Sequence, residues 1–366
     1  MDRTRLLLVI SLTLIFVLAA TAFRSPVPRL GSIISAGRML EPRSGHTATL
    51  LPDGKVLIAG GMRRNQDFYS SAELYDPATG KFQFTGEMHQ RRVGQVAVLL
   101  HSGKVLIAAG WVGQGGTDSA ELYDPSTGNF SVISKMTARR GRPSATLLSN
   151  GDALIAGGEE ADNKSLASAE IFDARTLTFK STGSMHHSRI SHTATLLNDG
   201  RVLITGGYGD SIFASAEIYD PQKGTFTETG DMTIARCKHT AGLLPDGKVL
   251  IAGGSDSRGW NGNLSSAEIY DPRTGKFTAT ASMNESRFKL PDEAVQLPSG
   301  KLLIAGGSKQ VEIYDPSTAK FLAAAGQLDD AWHFMSETKL RDGSVLLAGG
   351  YPDDDQASAR TWVYKP

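Results

Sequence analysis

The sequence predicts an all-β fold, a seven-bladed β-propeller of four-stranded blades, and two observations lead to it. The phrase LPDGKVLIAGG at Leu51–Gly61 returns six more times, closely or loosely, at Ser102–Gly110, Asn150–Gly158, Asp199–Gly207, Pro245–Gly254, Pro298–Gly307 and Asp342–Gly350. Methionines mark a period of about 49 residues, at Met39, Met88, Met136, Met185, Met232 and Met283. A fixed period of this length is the signature of a repeat architecture.

Each unit contains four segments of strand length, and none has the 3.6-residue apolar period of a helix. In the first unit they are His46–Leu51, Lys55–Ala59, Ser71–Tyr75 and Lys81–Phe84. Asp53-Gly54 offers the two positive-φ residues of a two-residue hairpin, and Asp76–Gly80 has the proline and glycine of a longer hairpin loop. Four successive antiparallel strands in each of seven units are typical of propeller blades.

The seventh unit lacks a fourth strand, because the sequence ends at Pro366 soon after the third. At the other end, Gly31–Met39 matches Gly80–Met88 position for position. We therefore expect Ser32–Ser35 to supply the outer strand of the last blade, so that an N-terminal strand closes the ring and protects its edge. The propeller is predicted to span residues 31–366.

The N-terminus and the composition bear on location. An apolar run, Leu6–Ala20, follows two arginines and precedes the small residues Ala20-Thr21-Ala22, which is typical of a signal peptide over residues 1–22 with a linker over 23–30. The alternative is an uncleaved anchor, which would be the protein's only membrane attachment. Both place the propeller outside the cytoplasm, in the periplasm, at the cell surface or outside the cell.

Charge and cysteine content exclude some functions. Lys plus Arg number 38, as do Asp plus Glu, so no net charge attracts nucleic acid. Cys237 is the single cysteine, so no intramolecular disulfide forms. The fold must therefore be held by packing.

The repeated unit resembles the kelch motif over about Gly31 to Tyr364. The resemblance rests on a strand ending in Gly-Gly, a variable loop, the sequence SAE-Leu/Ile-Tyr-Asp-Pro and an aromatic residue after Gly-Lys. The motif's usual tryptophan on the fourth strand is replaced here, as in bacterial kelch-like and galactose-oxidase-like propellers, by Phe82, Phe130, Phe179, Phe226, Phe277 and Phe321. The resemblance implies a propeller scaffold and raises the possibility of a copper-radical oxidase.

The copper chemistry does not carry over residue by residue. It would need a cysteine joined to a tyrosine together with tyrosine and histidine ligands. Cys237 occupies a repeat position beside the recurrent arginine, and the sequence has no Tyr-His dipeptide. We therefore predict no cofactor and no metal site. The short acidic run Asp353–Asp355 could contact a cation, but it lacks the further spaced ligands that a calcium site needs.

The two faces of the ring differ in their connections. One face has the uniform Asp-Gly and Asp-Pro turns, whereas the other, here called the loop-rich face, has the variable second-to-third connections and the connections between blades. Variable loops on a rigid scaffold are where function usually lies. Features that every blade shares are interpreted as structural, including the glycines Gly60, Gly61, Gly157, Gly158, Gly206, Gly207, Gly253, Gly254, Gly306, Gly307, Gly349 and Gly350.

A recurrent arginine precedes the innermost strand on the loop-rich face, at Arg43, Arg92, Arg140, Arg189 and Arg236. One interpretation is a basic ring at the channel mouth that binds an anionic or polyhydroxyl ligand. The alternative is a structural ion pair with the glutamate of SAE, at Glu73, Glu121, Glu170, Glu217 and Glu268. Blade seven replaces both partners, with Trp332 and Arg360. His46, His192 and His239, three positions after the arginine, are interpreted as structural hydrogen-bonding groups.

Single-blade aromatic residues are the other binding candidates. Trp111, Tyr208, Trp260, Trp332 and Tyr351 map to the loop-rich face, where they would stack on sugar rings or anchor a peptide, or else pack beneath their own loops. We expect a non-catalytic exported binding module for a glycan or a protein. The alternative is a carbohydrate-active enzyme, either a galactose-oxidase-like oxidase or a sugar epimerase or lyase, although no paired-carboxylate or triad spacing favours it.

Overall fold

The computed structural model describes residues 30–366 apart from 65, 114, 162–163, 259–261 and 353–355. The predictions for the signal peptide, for all but the last linker residue, for Trp260 and for Asp353–Asp355 lie outside the described residues. Within the described part of the chain, no helix is long and apolar enough to cross a membrane.

Seven four-stranded antiparallel sheets form the ring, as predicted. Blade one contains Thr47–Leu50, Val56–Ala59, Ala72–Asp76 and Lys81–Phe84. Blade two contains Val96–Leu99, Val105–Ala108, Ala120–Asp124 and Asn129–Val132. Blade three contains Ser144–Leu147, Ala153–Ala156, Ala169–Asp173 and Thr178–Ser181. Blades four and five contain Thr193–Leu196, Val202–Thr205, Ala216–Asp220 and Thr225–Glu228; and Thr240–Leu243, Val249–Ala252, Ala267–Asp271 and Lys276–Ala279.

Blades six and seven complete the ring. They contain Val295–Gln296, Leu302–Ile304, Glu312–Asp315 and Lys320–Ala323; and Ser336–Lys339, Val345–Ala348, Arg360–Lys365 and Ser32–Arg38. A short extra hairpin in blade two joins Trp111–Val112 to Gly115–Gly116. Inner strands pack against their neighbours in chain order, and that of blade seven packs against that of blade one.

The core lies between the blades. The second strand of blade one, Val56–Ala59, is buried along its whole length, as is its counterpart Val105–Ala108 in blade two. A strand covered on both faces is uniformly apolar, which explains the repeated VLIA sequence. Tyr75 stacks on Phe82 with ring centroids 4.8 Å apart, and the equivalent pair recurs in most blades, which confirms the predicted core role of these tyrosines.

The Asp-Gly turns differ from the prediction. The Leu51 N–H donates to the Lys55 carbonyl at 2.8 Å, so Pro52, Asp53 and Gly54 form a three-residue loop rather than a two-residue one. Gly54 alone has a left-handed φ, of 91°. The Asp53 carboxylate accepts the Lys55 N–H at 3.0 Å, which holds the aspartate in an ordinary turn conformation. Three-residue hairpins with one left-handed glycine are a common solution.

The N-terminal strand closes the ring as predicted. Ser32–Arg38 pairs antiparallel with Arg360–Lys365, with Ser32 opposite Lys365 and Ser35 opposite Trp362. The strand is longer than expected and contains an irregularity between Ser35 and Arg38. Blade seven therefore has four strands although they come from the two ends of the chain.

Candidate functional site

A ring of seven left-handed residues surrounds the propeller axis on the loop-rich face. Each lies two positions after the recurrent arginine, or after its counterpart in blades six and seven. Their φ angles fall between 49° and 60° at Gly45, Gly94, Arg142, Ser191, Lys238, Lys289 and Phe334. We call these seven residues the axial ring. Five of them carry side chains in a conformation that glycine adopts far more readily.

Backbone hydrogen bonds between blades link most members of the axial ring. The N–H groups of Gly45, Gly94, Arg142, Lys238 and Phe334 donate to the carbonyls of Phe334, Gly45, Gly94, Ser191 and Lys289, at 2.9 to 3.1 Å. Each bond joins a residue to the equivalent residue of an earlier blade in the ring. These hydrogen bonds between blades compensate for the unfavourable left-handed conformation and fix the direction of each side chain.

Six of the seven axial-ring residues, all but Lys289, line a cavity of about 270 Å³ to which all seven blades contribute residues. Blades one and two contribute only glycine at the ring position, whereas blades three to five contribute Arg142, Ser191 and Lys238. The side chains at the mouth therefore differ from blade to blade, although the backbone around the axis repeats.

Blade six adds acidic groups to this cavity. It has two more residues than the other blades, Pro291 and Asp292, between the axial ring and its inner strand. The Ala241 N–H of blade five donates to the Asp292 carbonyl at 3.1 Å, and the Ala294 N–H donates back to Ala241 at 2.9 Å. The insertion thereby lies against blade five and places Asp292 and Glu293 in the cavity lining.

The charged groups of the cavity influence one another. Asp292 and Glu293 are open to solvent inside the cavity, but the protein encloses them enough that burial raises the pKa of both, that of Asp292 to about 6. Arg142 opposes the shift in the pKa of Asp292. Burial raises the pKa of Glu337 to about 8. The hydrogen bond that its carboxylate accepts from the Ala305 N–H at 2.7 Å lowers that pKa but does not outweigh burial. Glu337 is therefore mostly protonated at neutral pH.

The recurrent arginines do not form a basic ring at the mouth. All five guanidinium groups are fully buried and each pairs with the glutamate of SAE, in Arg43–Glu73, Arg92–Glu121, Arg140–Glu170, Arg189–Glu217 and Arg236–Glu268, at 2.9 to 3.1 Å. Arg287, which the sequence interpretation left out, forms a sixth pair with Glu312 at 2.7 Å. The ion-pair alternative is confirmed, because the arginines tie each blade's entry to its own third strand.

The glycine pairs have the structural role predicted for them. A Cβ atom on Gly61 would lie 2.8 Å from the Cβ atom of His46, and one on Gly157 would lie 2.5 Å from the Arg189 carbonyl oxygen. Gly61 also donates its N–H to the carbonyl of Arg92 at 2.9 Å. The missing side chains allow the next blade's arginine segment to approach the strand end.

The shared histidines are hydrogen-bonding groups between blades, as predicted. Nε2 of His46 lies 2.9 Å from the Ser336 hydroxyl, and Nε2 of His192 lies 2.9 Å from the Ser144 hydroxyl. Burial, assisted by the neighbouring arginine, lowers the pKa of each of these two histidines to about 3. His239 lies 3.0 Å from the hydroxyl of Thr193. These imidazoles stay neutral, and their Nε2 atoms are engaged.

The residues of the described part of the chain do not fit a copper centre. They include no group of three or more histidine, cysteine, aspartate or glutamate side chains that could hold a metal ion. Cys237 is buried, and burial raises the pKa of its thiol. We therefore derive no catalytic step through copper.

Two of the predicted aromatic residues border the axial ring. Trp111 is half-buried, and its ring lies against Gly141 and beside Gly94. Tyr208 is also half-buried and lies close enough to Arg142 for the guanidinium to lower its pKa, although burial raises that pKa overall. Both residues thus lie beside members of the axial ring, although neither lines the cavity itself.

The other two described aromatic candidates are almost fully buried. Tyr351 accepts a hydrogen bond from the Lys289 ammonium at 2.9 Å, and that ammonium lies 4.9 Å from its ring centroid. Trp332 packs on Trp362 and donates its Nε1–H to Asp329 at 3.0 Å. Trp332 therefore packs within blade seven, and for these two residues the structure agrees with the alternative of internal packing rather than with an exposed aromatic face.

Sequence reasoning named His46 and His192 but missed the charged residues and the serine that line the cavity. Position two after the recurrent arginine reads Gly, Gly, Arg, Ser, Lys, Lys and Phe around the ring, while the arginine before it repeats in six blades. This variation, together with the two extra residues of blade six, was the available signal. The members missed are Arg142, Ser191, Lys238, Asp292, Glu293 and Glu337.

Replacing Ser191 by glycine is expected to raise the free energy of unfolding by about 1 kcal/mol, because a left-handed residue with a Cβ atom costs roughly 1–2 kcal/mol. Ser131→Gly on an exposed strand is the matched control and should lower that free energy by about 0.5–1 kcal/mol. Denaturant titration measures both changes. A destabilised Ser191→Gly variant would contradict the strain assigned to the axial ring.

Comparisons with known proteins agree with this scaffold. A family model described as the Kelch motif matches residues 42–89, 92–137, 189–233 and 236–284, just over half of the chain. No curated protein sequence matches. Many solved structures share the fold. One of them is a fungal alcohol oxidase of the AA5 family in complex with copper, which is 16% identical with a TM-score of 0.74. The similarity covers 92% of this chain and 76% of that one, and at this identity it shows the fold alone.

Proposed function

Because the chain belongs to the kelch-repeat family of β-propeller proteins, we propose that it is an exported binding module that recognises a glycan at the axial mouth of its loop-rich face. The observation that carries this proposal is the cavity that all seven blades line, with its different polar, charged and aromatic side chains around one opening. A protein partner on the surrounding loops is the other outcome that the experiment below distinguishes.

The strained backbone of the axial ring supports a binding role. Five residues other than glycine hold left-handed conformations there, and four of them, Arg142, Ser191, Lys238 and Phe334, line the cavity. Such residues cost of order 1–3 kcal/mol each and cluster where a side chain must be held in place for function. Blades one and two have glycine at the same position, so the scaffold itself does not need these side chains.

The size and chemistry of the cavity favour a sugar residue. A volume of 270 Å³ lies just below the range of about 300–1,000 Å³ typical of small-molecule pockets. The Ser191 hydroxyl and the carboxylates of Asp292 and Glu293 offer hydrogen-bond partners for sugar hydroxyls. Trp111 lies beside Gly94 and Tyr208 near Arg142, both half-buried, and we assign a sugar-stacking role to the exposed parts of their rings.

A carbohydrate-active enzyme on the same scaffold is the second candidate, and Glu337 is the observation that favours it. This carboxyl lines the cavity and has a pKa of about 8 because it is buried. A carboxylic acid that keeps its proton at neutral pH is suited to general acid catalysis. Proton NMR of the glycan during prolonged incubation with the protein distinguishes turnover from binding alone.

The test of the proposed function is a glycan array and a peptide array probed with the exported chain, followed by titration of the hits. Trp111→Ala is expected to weaken glycan binding at least tenfold, about 1.4 kcal/mol, because it removes the stacking face at the mouth. Phe84→Ala is the matched control, since Phe84 is an exposed aromatic residue on an outer strand. Binding to peptides alone, or glycan binding that Trp111→Ala leaves unchanged, would contradict the proposal.

A further inference from the structure

We propose that Arg142, Ser191 and Lys238 form a carboxylate subsite in the axial cavity, so that the sugar bound there is a hexuronate. This inference rests on the proposed glycan-binding function and specifies its ligand. The three residues are successive members of the axial ring, in blades three, four and five, and all of them line the cavity. The Lys238 N–H donates to the Ser191 carbonyl at 3.0 Å, which fixes two of them side by side.

The two cations of the proposed subsite, Arg142 and Lys238, differ from the recurrent arginines that pair with glutamate. Each recurrent arginine has a glutamate partner, whereas the ion pairs among the described residues include neither Arg142 nor Lys238. The Arg142 guanidinium lies 4.4 Å from the ring centroid of Phe334, which supports it without neutralising its charge. Both side chains are half-buried and face an opening to solvent.

The two cations also repel each other. Burial, and after it the charge of Arg142, lowers the pKa of Lys238. An anion bound between them would offset this repulsion and stabilise the charged forms of both side chains, which burial disfavours. A guanidinium offers two parallel N–H donors to a carboxylate, the ammonium adds charge and the Ser191 hydroxyl adds a further donor.

The acidic groups nearby limit the ligand to a small charge. Asp292 and Glu293 line the same cavity, and the charge of Arg142 reaches Asp292. They would repel a phosphate dianion more strongly than a carboxylate monoanion. Their oxygens accept hydrogen bonds from hydroxyl groups, so a ligand that joins one carboxylate to several hydroxyls satisfies both kinds of group. A hexuronate has this chemistry.

The experiment titrates the exported chain calorimetrically with methyl glucuronoside, methyl glucoside and glucose 6-phosphate. We expect the glucuronoside to bind at least tenfold more tightly than either of the others. Arg142→Gln and Lys238→Gln should each weaken glucuronoside binding about tenfold, so that the preference for the glucuronoside over the glucoside is lost. Arg139→Gln is the matched control, because Arg139 carries the same charge on an exposed connection of the same blade.

The outcomes separate this inference from the proposed function. Equal affinity for glucuronoside and glucoside, tighter binding of the phosphate, or unchanged glucuronoside binding by both variants overturns the carboxylate subsite alone. Failure of all three sugars to bind overturns the subsite, and array binding to peptides only overturns the proposed function as well. Ser191→Ala is the variant least able to disturb the fold, because it removes only one hydroxyl group. It should still weaken glucuronoside binding about threefold.

Binding should also depend on pH through Asp292. The charged groups near it are Arg142 from blade three, Lys238 from blade five and its neighbour Glu293. Its pKa of about 6 means that a fall from pH 7.5 to 5.5 protonates most of the Asp292 population and removes most of one negative charge beside the subsite. A ligand carboxylate with a pKa near 3.5 stays ionised. Affinity for the glucuronoside should therefore rise several-fold, and Asp292→Asn should reduce that dependence. A fall in affinity would overturn the placement of the subsite.

Discussion

Replacing Arg189 by methionine is expected to lower the free energy of unfolding by about 3–5 kcal/mol, because it removes the guanidinium partner of the buried Glu217 carboxylate. Arg189 is fully buried and bonds the Glu217 carboxylate at 3.0 Å. It also donates to the carbonyls of Gly206 and Ser215, at 2.7 and 3.0 Å. One substitution therefore removes an ion pair and leaves several buried acceptors unsatisfied.

The control for this effect is an ion pair of the same type on the surface. Arg201 bonds Asp199 at 2.6 Å, with side chains 39% and 49% exposed. Arg201→Met should cost between 0 and about 1 kcal/mol, as exposed pairs do. Guanidinium titration of the two variants measures the contrast. Equal losses in both would contradict a structural role for the recurrent arginine.

Deleting residues 1–38 is expected to lower the free energy of unfolding by about 5 kcal/mol and the melting temperature by several degrees. The strand Ser32–Arg38 covers Arg360–Lys365, in which Trp362, Val363 and Tyr364 are buried. Exposing an apolar side chain of this size costs about 1.5–3 kcal/mol. The deletion also leaves the edge of blade seven without a partner.

Two controls separate loss of the closing strand from other effects of truncation. A chain that begins at Leu30 keeps the strand and should unfold like the full chain. Gly31→Ala tests the contact between the two terminal strands by a single substitution. It should destabilise the protein, since the added Cβ atom would lie 2.5 Å from the Tyr364 hydroxyl oxygen. Gly80→Ala at the matching position of blade one has nothing within 4 Å and should cost much less. Thermal denaturation that the deletion leaves unchanged would rule out this closure.

The sequence was sufficient wherever a feature repeats with the blades. The seven copies of the Gly-Gly phrase, the pairing of Ser32–Ser35 with the last blade and the Arg–Glu alternative all follow from positions that recur in register. Such features depend on contacts within one blade or between neighbours, so every repeat supplies the same information. The turn at Asp53 was predicted less well, because its side chain's bond to the Lys55 N–H selects a three-residue loop.

The candidate site was different, because it depends on what the seven blades bring together at one axis. Nothing local marks Arg142 and Lys238 as neighbours in space, since they are far apart in sequence and a whole blade lies between them. Their convergence requires the closed ring and the left-handed backbone of the axial ring, and the insertion in blade six adds Asp292 to the same cavity. Burial also decided the fate of the recurrent arginines, since the sequence could not reveal which cations face solvent. The sequence by itself determined the scaffold through local repeats, and only the tertiary structure decided which charged side chains meet, because that is set by ring closure and burial.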